Sequence, residues 1–149
     1  MIESFVWLLA WILVLITVSV HYEVIRLVSD QVMPWAGRRL HNRRIIAVVI
    51  ATLMLGHIAE IWLFALAIKL LVRFPIFGSL QGDMGQGWGD FLYLSSVNYT
   101  SLGDSSLRIV GPARALASSE TLAGMMMIAW SASFTYLKME QVWKRHQEK

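Results

Sequence analysis

The chain has 149 residues, 56% of them hydrophobic and only 15% charged, against about 25% charged in a typical soluble domain. Cysteine is absent, which excludes disulfides and thiolate metal sites. The net charge of +3 is carried by basic residues flanking apolar blocks, the placement of membrane-edge charges and not of a nucleic-acid surface.

In chain order, the first apolar block runs from about Phe5 to Val28, uncharged as far as Val20, with His21, Glu23 and Arg26 crowding its far end. A secretory signal fits poorly, because Glu3 stands where a basic cluster belongs and no small-residue cleavage site follows. This block predicts a membrane-spanning helix. The next stretch, Gln31 to Arg44, holds Pro34, Gly37 and the cluster Arg38, Arg39, Arg43 and Arg44. Proline and glycine are expected to break the helix here, and arginines do not cross lipid cheaply. The second block, Ile45 to Val72, is apolar apart from His57, Glu60 and Lys69, and is long enough to cross about 30 Å of hydrocarbon.

Arg73 to Gly89, with Pro75 and several glycines, predicts an exposed loop. Asp90 to Asn98 is apolar and aromatic but too short to span, the length of a re-entrant helix. A small polar run from Thr100 to Ser106 and a Gly111-Pro112 break lead to a third spanning block, Ala113 to Leu137, and a polar tail, Lys138 to Lys149. Of the thirteen lysines and arginines, nine fall on one side of these blocks and four on the other. The positive-inside rule then puts the N-terminus outside and the tail in the cytoplasm. The expected fold is an all-α membrane protein with three spanning helices and a re-entrant segment. Residues 1–44 form the first helix and a basic loop, 45–137 a pore module and 138–149 a cytoplasmic tail.

A half-helix ending inside the membrane turns its partly negative carboxyl end toward the middle, favouring a cation there. A strand returning from that depth can replace ionic hydration with backbone oxygens, and irregular backbone is tolerated there only where it lines a cavity. In the third block, Glu120, Gly124, Met127, Ser131 and Thr135 fall on one face at helical spacing. They read as a pore-lining stripe with Gly124 as a hinge, or else as close packing through small residues. His57 and Glu60, three apart in the second block, are an ionisable pair at costly depth. They offer either a proton or cation site with Glu120 as third member, or a mutual or serine-borne hydrogen bond (to Ser118 or Ser119) holding helices in register. Met125 to Met127 point around the helix and read as packing. Trp7, Trp11, Trp35, Trp88 and Trp143 read as interfacial anchors.

The stretch FLYLSSVNYTSLGD resembles the pore helix and filter of the two-transmembrane potassium-channel superfamily, whose signature is T-x-G-Y-G-D. The resemblance aligns Thr100 and Ser101 with the hydroxyl positions, Leu102 with the valine and Gly103 with the first glycine. Asp104 stands in the tyrosine place, Ser105 in the second glycine place and Ser106 in the aspartate place. The stretch GHIAEIWLFAL in the second block is also similar to bacterial potassium-channel-like proteins. Aspartate after the glycine is likewise found in the non-selective prokaryotic sodium/potassium channels. The resemblance implies a homotetramer in a bacterial inner membrane, surrounded by lipid and passing potassium and sodium with weak selectivity. It implies no enzyme activity, no resident cofactor, no small-molecule substrate and no nucleic acid. A ring of four Asp104 carboxylates at the outer mouth would concentrate cations and could hold a divalent ion. Ser105 departs from the pattern, since left-handed backbone costs a non-glycine residue about 1–2 kcal/mol. A channel-fold scaffold or sensor that does not conduct therefore stands as the second reading. A small transporter or metal-dependent membrane enzyme built on His57, Glu60 and Glu120 is the third, without a nucleophile–base pair or phosphate loop to support it.

Overall fold

Long apolar runs without a breaker fold as helices because only the helix satisfies every backbone donor locally. In the computed structural model, which describes residues 1–82, 87–103 and 106–147, this gives a mostly helical chain. Helix α1, Ile2–Leu27, buries Val6, Ala10, Leu13, Thr17 and His21 along one face and leaves Trp7, Leu8, Trp11 and Leu15 exposed. Spacings of three and four make this a continuous inward stripe. The chain does not break at Pro34 and Gly37 as the sequence suggests. A π-helical turn, Val28–Val32, carries α1 directly into α2, Met33–Arg39. Pro34 falls in the first turn of α2, where its missing N–H costs little after the widened turn has already shifted the hydrogen-bond register. The break comes instead at Leu40, whose backbone is extended (φ −123°, ψ 151°).

Helix α3, Asn42–Leu71, returns alongside α1. The runs Ile2–Arg39 and Arg43–Leu71 are both long and apolar enough to cross a membrane. A 3₁₀ turn, Pro75–Phe77, leads to strand β1, Ser79–Gly82, then to α4, Trp88–Tyr99, strand β2, Leu107–Val110, and α5, Arg114–Gln147. The third apolar block thus lies in α5, and much of the expected polar tail continues it as helix. An exposed Lys144–Glu140 pair one turn apart accompanies that extension.

The two strands, the first of them in a segment expected to be loop, pair antiparallel from Ser79↔Val110 to Gly82↔Leu107. Leu80 and Leu107 turn inward from this hairpin and join Phe64, Ile68, Phe91 and Leu116 in the main core. Phe5 meets Phe77 with ring centroids 5.9 Å apart, so the N-terminus and the hairpin share one end of the bundle. Ala36, Ile45 and Val142 form a smaller cluster where α2, α3 and α5 meet.

Candidate functional site

Helix α4 is the unusual element, a half-length helix packed between two full-length ones. Its start is set by the Asp90 side chain, which accepts a hydrogen bond from the Gly87 N–H at 2.9 Å. Trp88 is covered by the Lys69 ammonium at 4.2 Å from its ring centroid and by Trp62 at 6.0 Å, near the hairpin end of α3. After twelve residues in all it stops at Tyr99, whose hydroxyl reaches His57 and Glu60 of α3. At 1.5 Å per residue α4 descends about 18 Å, and Glu60 lies about 17 Å along α3 from Leu71, so the two measures agree. The helix ends level with the middle of α3.

Its end is capped locally. The Leu102 N–H donates to the Val97 carbonyl and the Ser101 N–H to the Asn98 carbonyl, the pair of bonds of a Schellman motif, with Ser101 in left-handed backbone at φ 53°. Gly103 is also left-handed, at φ 70°. Thr100 through Gly103 are exposed on the chain, Leu102 at 76%. Asp104 and Ser105, expected in the filter and at its mouth, lie outside the described residues.

On its buried faces α4 touches two carboxylates. Glu60, 1% exposed, is met by the His21 Nδ1 at 2.9 Å, by the Tyr99 O–H and by the His57 Nδ1 at 3.6 Å. His57 Nδ1 is also 2.7 Å from the Tyr99 hydroxyl, and His21 Nε2 lies 3.2 Å from Ser131 Oγ on α5. Three histidine and glutamate ligand atoms, one each from His21, His57 and Glu60, lie within 4.8 Å of one another. Both Glu60 oxygens accept hydrogen bonds in this arrangement.

Glu120, fully buried on α5, meets Ser95 Oγ and Asn98 Nδ2, the latter at 3.5 Å. Ser95 also bonds the Ile61 carbonyl at 2.8 Å. One hydroxyl proton cannot serve two acceptors, so the count closes when Glu120 carries a proton of its own. One turn further along the same face, Gly124 lets α5 approach the backbone of α4, since a Cβ there would lie 2.1 Å from the Tyr99 carbonyl oxygen.

These positions correct several sequence-based expectations. The stripe proposed to line a pore faces the chain's own interior: Glu120 bonds α4, Gly124 abuts Tyr99 and Ser131 meets His21. Only Thr135 is left half-buried, in a groove between α3 and α5. Small and polar residues collect there because the half-helix and α1 must be accommodated, which is the packing alternative. The third member of the His57–Glu60 group is His21, with Glu120 held apart by its bond to Ser95. Ser118, offered as a partner for that pair, bonds the Arg114 carbonyl instead. His21 and Tyr99 were missed. His21 continues the inward stripe of α1 four residues beyond Thr17, and that period was the available signal. No family description, curated protein or solved structure matches the chain.

Proposed function

We propose that the chain is one subunit of a homotetrameric channel for monovalent cations, spanning a membrane three times with its N-terminus outside. In this reading α4 is the pore helix, and Thr100, Ser101, Leu102, Gly103, Asp104 and Ser105 form the filter. The observation that carries it is the exposed, non-helical backbone at Thr100–Gly103, level with the middle of α3. The cap satisfies the N–H groups of Thr100, Ser101 and Leu102, but lipid offers nothing to the carbonyls of this exposed turn, so it needs a water-filled cavity or protein around it. Four copies facing an axis supply both, and one segment alone cannot enclose a pore. The carboxyl end of α4 turns partial negative charge toward that axis, which favours cations. The exposed face of α5, which includes Leu122, Met125, Ala129 and Tyr136, is available to lipid or a neighbouring copy.

The filter of this chain has aspartate in place of tyrosine, and weak discrimination between potassium and sodium follows from the resemblance. The test is cation flux into liposomes carrying the pure, folded protein. Comparable potassium and sodium flux with exclusion of a large organic cation is the expected result. A folded tetramer that passes no cation overturns conduction and leaves the scaffold reading, whereas a monodisperse monomer in lipid overturns the assembly itself.

A further inference from the structure

We propose that His21, His57 and Glu60 bind one divalent transition-metal ion, with zinc the best match and the Tyr99 hydroxyl beside the fourth position. The ion would be resident, joining α1 and α3 behind the end of α4. The proposal is independent of whether the chain conducts.

The donor set comes first. Two imidazoles and one carboxylate are a three-ligand zinc set that leaves a coordination position open. Magnesium and calcium take oxygen donors, and this group offers too few. Geometry agrees. Bonds of about 2.0–2.1 Å in a tetrahedron separate ligand atoms by about 3.3 Å. Glu60 Oε1 is 2.9 Å from His21 Nδ1, and Glu60 Oε2 is 3.6 Å from His57 Nδ1. The two imidazole centroids are 5.2 Å apart and one ligand atom from each of the three residues lies within 4.8 Å of the others, so the widest separation closes toward the tetrahedral spacing when an ion is held.

The surroundings fit as well. Metal binding would replace the Nδ1 hydrogen bonds of His21 and His57 by moving each imidazole proton to Nε2, which leaves Nδ1 as a lone pair for the ion. For His21 that proton then points to Ser131 Oγ at 3.2 Å, the outer hydrogen bond that metal-bound imidazoles make. All three ligands are buried, where a cation compensates the Glu60 carboxylate. One turn before His21 on the same face, the buried Thr17 Oγ1 has no partner among the described residues, and a water carried by an ion would give it one. Access exists too. His57 and Tyr99 line the groove of about 440 Å³ between α3 and α5.

The test is titration of chelator-stripped protein in detergent with Co²⁺, a visible reporter for zinc sites. One Co²⁺ per chain is expected, with the intense visible bands of a four-coordinate ion that fade when Zn²⁺ is added. His57→Ala and Glu60→Gln should each abolish the bands, and Ser131→Ala should keep one ion per chain at about tenfold weaker affinity. Monodisperse wild-type protein that gives only the weak spectrum of hydrated Co²⁺ overturns the proposal and leaves a purely proton-sharing cluster. So do bands that survive loss of both His57 and Glu60, which would place the ion on other histidines. If the ligand variants fail to fold, the wild-type spectrum and Ser131→Ala decide between these outcomes.

Discussion

Two glutamates, Glu60 and Glu120, flank the same half-helix, both essentially without solvent, yet they hold it in different ways. Glu60 is surrounded by ring donors from three elements, His21 on α1, His57 on its own helix and Tyr99 on α4, and both of its oxygens accept. Glu120 meets a serine and an asparagine from α4 alone, and its proton count closes as the neutral acid. The first is a junction where charge and ring chemistry matter. The second is a seam where close approach matters, marked by Gly124 against the Tyr99 carbonyl. A buried carboxyl is thus defined by what its neighbours can donate, which its spacing in the chain does not disclose.

The difference can be broken experimentally. Glu60→Ala removes a shared acceptor and strands two buried donors, His21 and the Tyr99 hydroxyl, and should cost about 3–5 kcal/mol, read as a lower thermal midpoint in detergent. On the other side of α4, Gly124→Val should be the damaging change, because the clash is with backbone that cannot swing away. A loss of about 2–3 kcal/mol is expected in the same assay. Glu120→Gln should cost less than about 1 kcal/mol, since an amide can donate to Ser95 and accept from Asn98. If Glu120→Gln proves as costly as Glu60→Ala, the two sites are chemically alike and the comparison fails. Ser101→Gly should stabilise slightly, by about 0.5 kcal/mol, because relief of left-handed strain outweighs the added freedom of the unfolded chain. A melting point unchanged or lowered by this substitution would mean the turn is held by contacts beyond the chain.

Much of the helical scaffold was readable in the sequence because apolar length is a local property. The blocks from Phe5, Ile45, Asp90 and Ala113 each correspond to a helix with ends shifted by a few residues, apart from the extension of α5 beyond Leu137. Pro34 misled because a helix can absorb proline behind a π turn, a compensation with no sequence signature of its own. The strands escaped notice because runs of four residues, SLQG and LRIV, are too short to stand out, and their pairing spans the whole of α4. The site was less legible. His57 and Glu60 announced themselves by cost, but their partners His21, Tyr99 and Ser131 lie on three other elements. Only tertiary packing brings them together.

The hairpin has a consequence for how this molecule could change. Gly82 and Leu107 are paired neighbours, so the chain leaves the helical frame and returns to it at a single point. Between them α4 packs back into that frame against α3 and α5, so the freedom lies in its connections to the strands. Closing a longer loop costs only about 0.6 kcal/mol per doubling of its length. Length changes in the connection from β1 to α4 can therefore accumulate while α3, α4 and α5 keep their places.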